Sequence, residues 1–440
     1  MVSGTPGIVR EQNKKDGSRQ EFQWQSGKVA ALPAETELPP EWVYSAGVGY
    51  FVGDVTNYLQ KLDETMLERS SQSIKAAELA RQLAAKAGSK IEAVKAIRDF
   101  VAKSIRAAGP SFTDLPLSEL SDADTTLADG YGHAADRAIL LHAMLSAAGF
   151  QPEFVLVSDL PAITGITNVA MTFPLPGNFQ TPLVRITLDG TNYYLNDTDQ
   201  YAQLGSTSSD GKLGITLSNR QWEVVHAARR CEDGTKTVIV LLLDESGRTR
   251  IGISRWYYGA NYNEKHRFFS ELPPEERKRY FQETVSGVAQ GARPVGDLTT
   301  TFDTYPGREQ FSVIVDNYGV TAGKYLYFNL PFTPSLLPAG ADQRALPLLI
   351  SHGGKNTVLT EIELPPEFPG VVVAPRNEDL TVAGGEKARI TARKKSGGFV
   401  VTDDFETSPA IISPGNYQKL LGVESTLGRK SSKVFLLEQK

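Results

Sequence analysis

Apolar residues recur at helical spacing from Val55 to Gly149. Val55, Tyr58, Leu59, Leu62 and Met66 fall on one face, which predicts a helix over 55–67. An alanine-rich stretch predicts a second helix over 73–87, ended by Gly88. A third is predicted over 91–105, with Ile91, Val94, Ile97, Val101 and Ile105 in register and Ser89 placed to form a capping box with Glu92. The stretch 107–129 reads as a long acidic loop holding Pro110 and Pro116. The next helix runs to Ala148 and stops at Gly149. It is apolar on most sides, so it is expected to be buried.

Elsewhere the pattern has the period of strands. Residues 1–40 read as strands and turns, with 21–25 alternating, followed by a proline-punctuated linker over 32–40 and a strand over 42–52. A strand is expected over 153–157. A hairpin over 183–195 turns at Asp189-Gly190, a pair suited to a tight turn. Beyond 206 the chain is β-rich, with strands over 223–227, 237–243, 250–258, 311–317 and 325–330, and one helix over 274–289 that begins with proline and carries Glu275 and Glu276 in its first turn. Further strands are expected over 346–350, 357–364, 370–373, 387–394, 398–402 and 433–437, with a short helix over 414–421. No period of repeat length is visible.

Composition removes several classes of function. The 440 residues are 40% hydrophobic and 22% charged with a net charge of −5, ordinary for a globular protein and contrary to a nucleic-acid binder. The longest apolar run, 238–243, ends at Asp244 and is too short to cross a bilayer. Cys231 is the one cysteine, which excludes an internal disulfide and a cysteine-based zinc site. The five histidines, His133, His142, His226, His266 and His352, show no ligand spacing, so no metal and no cofactor is expected. No signal peptide is visible. Lys14-Lys15-Asp16-Gly17 reads as a turn inside a domain, which leads us to expect that this sequence continues a longer precursor.

The segment 126–149, TLADGYGHAADRAILLHAMLSAAG, carries the most information. It resembles the cysteine motif of bacterial multi-domain transglutaminase-like proteins, Gly-x-Cys-x-Asp-Lys/Arg-Ala followed by Leu-Leu and a closing Ala-Gly. Gly132, Asp136, Arg137 and Ala138 match, while Ala134 stands where that family has its cysteine. The stretch 179–199, FQTPLVRITLDGTNYYLNDTD, is similar to the family's histidine and aspartate strands, with Thr181 at the histidine position and Asn196 at the aspartate position. The resemblance implies an α+β fold, with a transglutaminase-like (papain-like) core over 55–205. Around it are expected the end of an N-terminal β-rich domain and linker (1–54), a β-rich domain with one inserted helix (206–340) and a C-terminal β-rich segment (341–440). In such a core the helix N-terminus stabilises a thiolate, a histidine on one hairpin strand handles the proton, and an aspartate on its partner orients the histidine. Family members are exported bacterial proteins, which implies a periplasmic or extracellular location; the residues themselves do not decide it.

All three catalytic positions are therefore altered together. Alanine offers no nucleophile, threonine has no group that titrates near neutral pH, and asparagine has no histidine to orient. Tyr131, Gly132, His133, Asp136 and Asp197 are the expected cleft-lining residues. His133 reads either as a recruited acid or base or as a polar helix start. Asp136 and Arg137 could bind a ligand, although an ion pair supporting the helix is expected first, and Asp197 could replace the lost aspartate only with a changed register. Cys231, beside Arg229 and Arg230, is expected to be structural or incidental and to fall outside the core. Trp256, Tyr257, Tyr258 and Tyr262 could form a binding platform, although strand aromatics more often fill a core. Arg277-Lys278-Arg279 reads as a solvated helix face, and Gly353-Gly354 and Gly384-Gly385 as turns.

The function expected first is that of a pseudoenzyme: a non-catalytic, transglutaminase-like protein whose cleft binds a peptide, a glycan or a protein partner, with no nucleic acid and no membrane span. The alternative is a transglutaminase or cysteine-protease-like enzyme acting on amide bonds, its cysteine engineered to Ala134 or its catalytic groups recruited from elsewhere. A purely structural protein, with the core as a spacer, would have its cleft plugged by side chains.

Overall fold

The computed structural model describes residues 2–4, 9–17, 19–25, 31–228, 231–331, 342–381, 387–427 and 429–439. Arg229, Arg230, Gly384 and Gly385 lie outside them. The chain divides into two compact units, Met1–Glu232 and Asp233–Lys440.

Unit 1 opens with β1 (Val2–Gly4), β2 (Val9–Asp16) and β3 (Arg19–Gln25); β2 and β3 form a hairpin. The strand expected over 42–52 is mostly replaced by a 3₁₀ turn at Glu41–Val43. Only β4 (Val48–Tyr50) is extended, pairing with β1. Three helices follow, α1 (Val55–Ser71), α2 (Ile74–Ala85) and α3 (Lys90–Ser104). Ser89 caps α3 by accepting the Glu92 amide, while the Glu92 carboxylate accepts the Gly88 amide at 2.9 Å, one residue earlier than a reciprocal box requires. The 107–129 loop is shorter than expected, because Asp122 caps a further helix, α4 (Ala123–Asp129).

The short parallel pair β5 (Arg106–Ala107) and β6 (Tyr131–Gly132) leads into α5 (Ala134–Ala147). Ten residues of α5 are buried, and Ile139, Leu140 and Met144 are among those in the unit's main core. Strands β7 (Glu153–Val157), β8 (Thr181–Leu188), β9 (Thr191–Leu195), β10 (Leu213–Thr216) and β11 (Gln221–Val224) form one sheet in the order β11-β10-β7-β8-β9. Phe154, Leu156, Val184, Ile186, Leu195 and Ile215 from this sheet join α5 in that core. A helix not expected from the sequence, α6 (Thr164–Thr172), lies between β7 and β8. Asp189 and Gly190 both have positive φ, 49° and 75°, as the tight turn between β8 and β9 demands. The strand expected over 223–227 is displaced to 221–224. Because β10 pairs with β7, residues past 205 belong to this sheet and not to the β-rich domain expected to start at 206.

In unit 2 the strand Gly234–Leu243 pairs antiparallel with Thr249–Tyr258 and parallel with Gly354–Glu363. The expected segments 206–340 and 341–440 thus share one nine-stranded sheet. Two helices interrupt it where one was expected: α7 (Gly259–Glu271) precedes α8 (Pro274–Val288). Helix α9 (Pro414–Leu427) is longer than its expected range. No helix among the described residues is long and apolar enough to cross a membrane. The fold is α+β, with strands dominating unit 2.

Candidate functional site

The start of α5 is built by close packing and reciprocal capping. Gly130, at φ 71°, ends α4 and turns the chain towards β6. A Cβ added at Gly132 would lie 2.8 Å from the Asp136 Cβ, so only glycine fits there without displacement. His133 is the N-cap: its Nδ1 accepts the Asp136 amide at 3.3 Å, while Asp136 Oδ2 accepts the His133 amide at 3.2 Å. An acceptor Nδ1 carries no proton, so in the neutral ring the proton sits on Nε2. That atom is buried without a hydrogen-bond partner among the described residues. Asp136 Oδ1 accepts the Ser121 amide at 2.9 Å. Burial raises the Asp136 pKa against the lowering effect of these amides and of His133.

The expected ion pair between Asp136 and Arg137 is absent among the described residues. The carboxylate is occupied by backbone amides, and the half-buried Arg137 keeps an unpartnered Nε, its pKa lowered by burial.

Ala134 is the first residue of α5 and is exposed. Thr181 begins β8, and Asn196 directly follows β9. The Asn196 Nδ2 donates to the Ala134 carbonyl at 2.9 Å and to the Pro182 carbonyl at 2.8 Å. One side-chain amide thereby joins the helix start to both strands. Asn196 has φ 99°, a conformation that costs energy outside glycine and is held here by those two bonds. The Thr181 hydroxyl donates to Asp159 Oδ1 at 2.7 Å. Asn196 thus links Ala134 at the helix start to Pro182, the neighbour of Thr181 on β8.

The other candidates are distributed differently. Tyr131 is exposed and Gly132 buried beside the cap. Asp197 points into the loop after β9, where Oδ2 accepts the Thr207 and Ser208 hydroxyls and the Ser208 amide; burial raises its pKa. It does not join Asn196 at the cleft. Cys231 is buried near the end of unit 1, with Sγ 3.9 Å from the Leu204 carbonyl. Tyr257 and Tyr262 are buried against Phe302, and their hydroxyls donate to Glu309 and to the Phe302 carbonyl, which makes them core residues. Arg277 lies over the Phe269 ring and donates to Thr300, so only Lys278 and Arg279 face solvent.

Residues 77–162 match the model of the transglutaminase-like superfamily. The chain contains a transglutaminase-like domain. The match runs from α2 through β7 and includes Ala134; Thr181 and Asn196 lie beyond it. A crystal structure from Parabacteroides distasonis ATCC 8503, described as a putative protease, resembles the chain with a TM-score of 0.58 at 14% identity. The alignment covers 99% of this chain and 69% of that one, and at this identity the likeness is one of fold. No curated protein matches the chain.

Two residues that support the transglutaminase-like domain escaped the sequence reading. Arg98, 2% exposed, donates to Thr198 at 3.1 Å and to the Ala202 carbonyl at 2.8 Å, anchoring the segment just after Asn196. Its place beside Ile97 on the apolar face of α3 was the available signal. Asp159 gave no signal, because its role depends on a strand remote in sequence.

Proposed function

We propose that the transglutaminase-like domain is a non-catalytic peptide-binding module. The observation that carries this reading is the bond between Asn196 and Ala134: the amide at the acid position is spent on holding helix and strands together. Thr181 is hydrogen-bonded to Asp159, which gives that position a fixed polar surface and no imidazole. His133 spends its Nδ1 on the helix cap, and Asp197 spends its Oδ2 on the following loop. Peptide is favoured over glycan because the solved neighbour carries a protease description.

The test is turnover. The purified chain is incubated with glutamine-containing peptides and amine acceptors, and with a mixed peptide library, and ammonia release and cleavage are followed. We expect neither, with or without iodoacetamide. Turnover of either kind, sensitive to iodoacetamide or not, would overturn the reading.

A further inference from the structure

A cavity of about 300 Å³ lies beside the cleft, within unit 1. Trp42, Val48, Leu160, Val169, Phe173 and Leu175 supply its apolar walls, so the segment before α1 faces α6 across it. Its size falls in the range of small-ligand sites. Two polar side chains on its lining are unspent. The Glu41 carboxylate is exposed and makes no ion pair or hydrogen bond among the described residues, and the same holds for the half-buried Asn178 amide. Two lining residues connect the cavity to Thr181 through Asp159. Leu160 follows Asp159, whose carboxylate accepts the Thr181 hydroxyl at 2.7 Å and whose backbone amide donates to the Asn178 carbonyl at 2.9 Å.

The geometry points to a site for the amino-terminal hydrophobic residue of a peptide. Its side chain fills the apolar cavity, its ammonium group meets Glu41, and Asn178 bonds the first peptide group. An apolar wall alone would take any greasy group. A free carboxylate next to it selects one bearing a cation, and a carboxamide suits a neighbouring amide. This inference rests on the reading of the cleft as a peptide-binding surface.

The test is calorimetric titration of the full chain with L-phenylalaninamide and with its N-acetyl derivative at millimolar concentration. Saturable binding of the free amine is expected. Acetylation removes the ammonium charge and should weaken binding about three- to fivefold, the scale of an exposed ion pair. Glu41→Gln should abolish that difference and leave the acetylated ligand unaffected. Val169→Trp and Gly47→Phe fill the cavity from two walls, and an added Cβ at Gly47 meets nothing within 4 Å, so the fold should persist. Each should weaken both ligands at least about tenfold, the scale of burying one aromatic side chain, with thermal unfolding unchanged. The inference is overturned by absence of binding, by equal affinity for both ligands, or by binding that survives both filling variants. Ammonia release from L-phenylalaninamide would instead overturn the non-catalytic reading, while the affinity comparison would still decide the cavity's role.

Discussion

The Asn196 side chain reaches back across the cleft to Ala134, 62 positions earlier in the chain, and donates to its carbonyl at 2.9 Å. The bond fastens the start of a helix to the end of a hairpin.

Substitution at Asn196 should therefore be read in stability. Asn196→Ala removes both bonds and keeps a Cβ at φ 99°, and should cost about 1–3 kcal/mol. Asn196→Asp places a carboxylate against two carbonyl oxygens. It should destabilise the domain at neutral pH and recover when the acid is protonated. Urea unfolding of both variants, with the aspartate variant examined at acidic and neutral pH, measures this. A fully stable aspartate variant at neutral pH would contradict the account.

His142 predicts an acid limit for unit 1. It is buried in α5, stacked on Phe154 at 4.3 Å and hydrogen-bonded to Ser70 at 2.8 Å, and burial pulls its pKa from 6.5 down to about 4. The folded state thus resists a proton that the unfolded chain takes up near pH 6.5. Stability is fully present above that value and is lost as pH falls towards 4, by up to about 3 kcal/mol. His142→Gln should flatten this part of the profile while lowering stability at neutral pH. Denaturant midpoints across the range, for both proteins, give the comparison.

Asp403 predicts the opposite slope in unit 2. It is 4% exposed, between Val401 and Phe405 on the inward face of its strand, with no partner for its carboxylate among the described residues. Burial, and then the charge of Asp404, push its pKa from 3.8 up to about 7. The folded state holds the proton longer than the unfolded chain, so stability falls as pH rises from 3.8 to about 7. Asp403→Asn should raise stability above that range, by up to about 4 kcal/mol, and leave it little changed in acid. Thermal unfolding of the variant and the parent in mildly acidic and mildly alkaline buffer checks the sign.

The legible parts of the fold were those written locally. Helices α1, α2, α3 and α5 were visible because their apolar residues repeat at helical spacing, and α5 was recognisably buried because most of its sides are apolar. The β8–β9 hairpin was visible because Asp189-Gly190 suits one turn. Helix α6 was missed because 164–172, TGITNVAMT, is short and holds β-branched residues and a glycine. The membership of β10 was missed because strand pairing joins residues remote in sequence, and composition alone placed them with the later β-rich chain.

The candidate site divides in the same way. Which residues stand at positions 134, 181 and 196, and that none of them is a cysteine, a histidine or a carboxylate, is read from the sequence alone. What those residues do instead was decided only in three dimensions. A hydrogen bond needs two groups within about 3 Å, and a cavity needs walls from several segments. Neither Asn196's hold on Ala134, nor the capture of His133 by a helix cap, nor the opening beside Glu41 exists until the chain is folded.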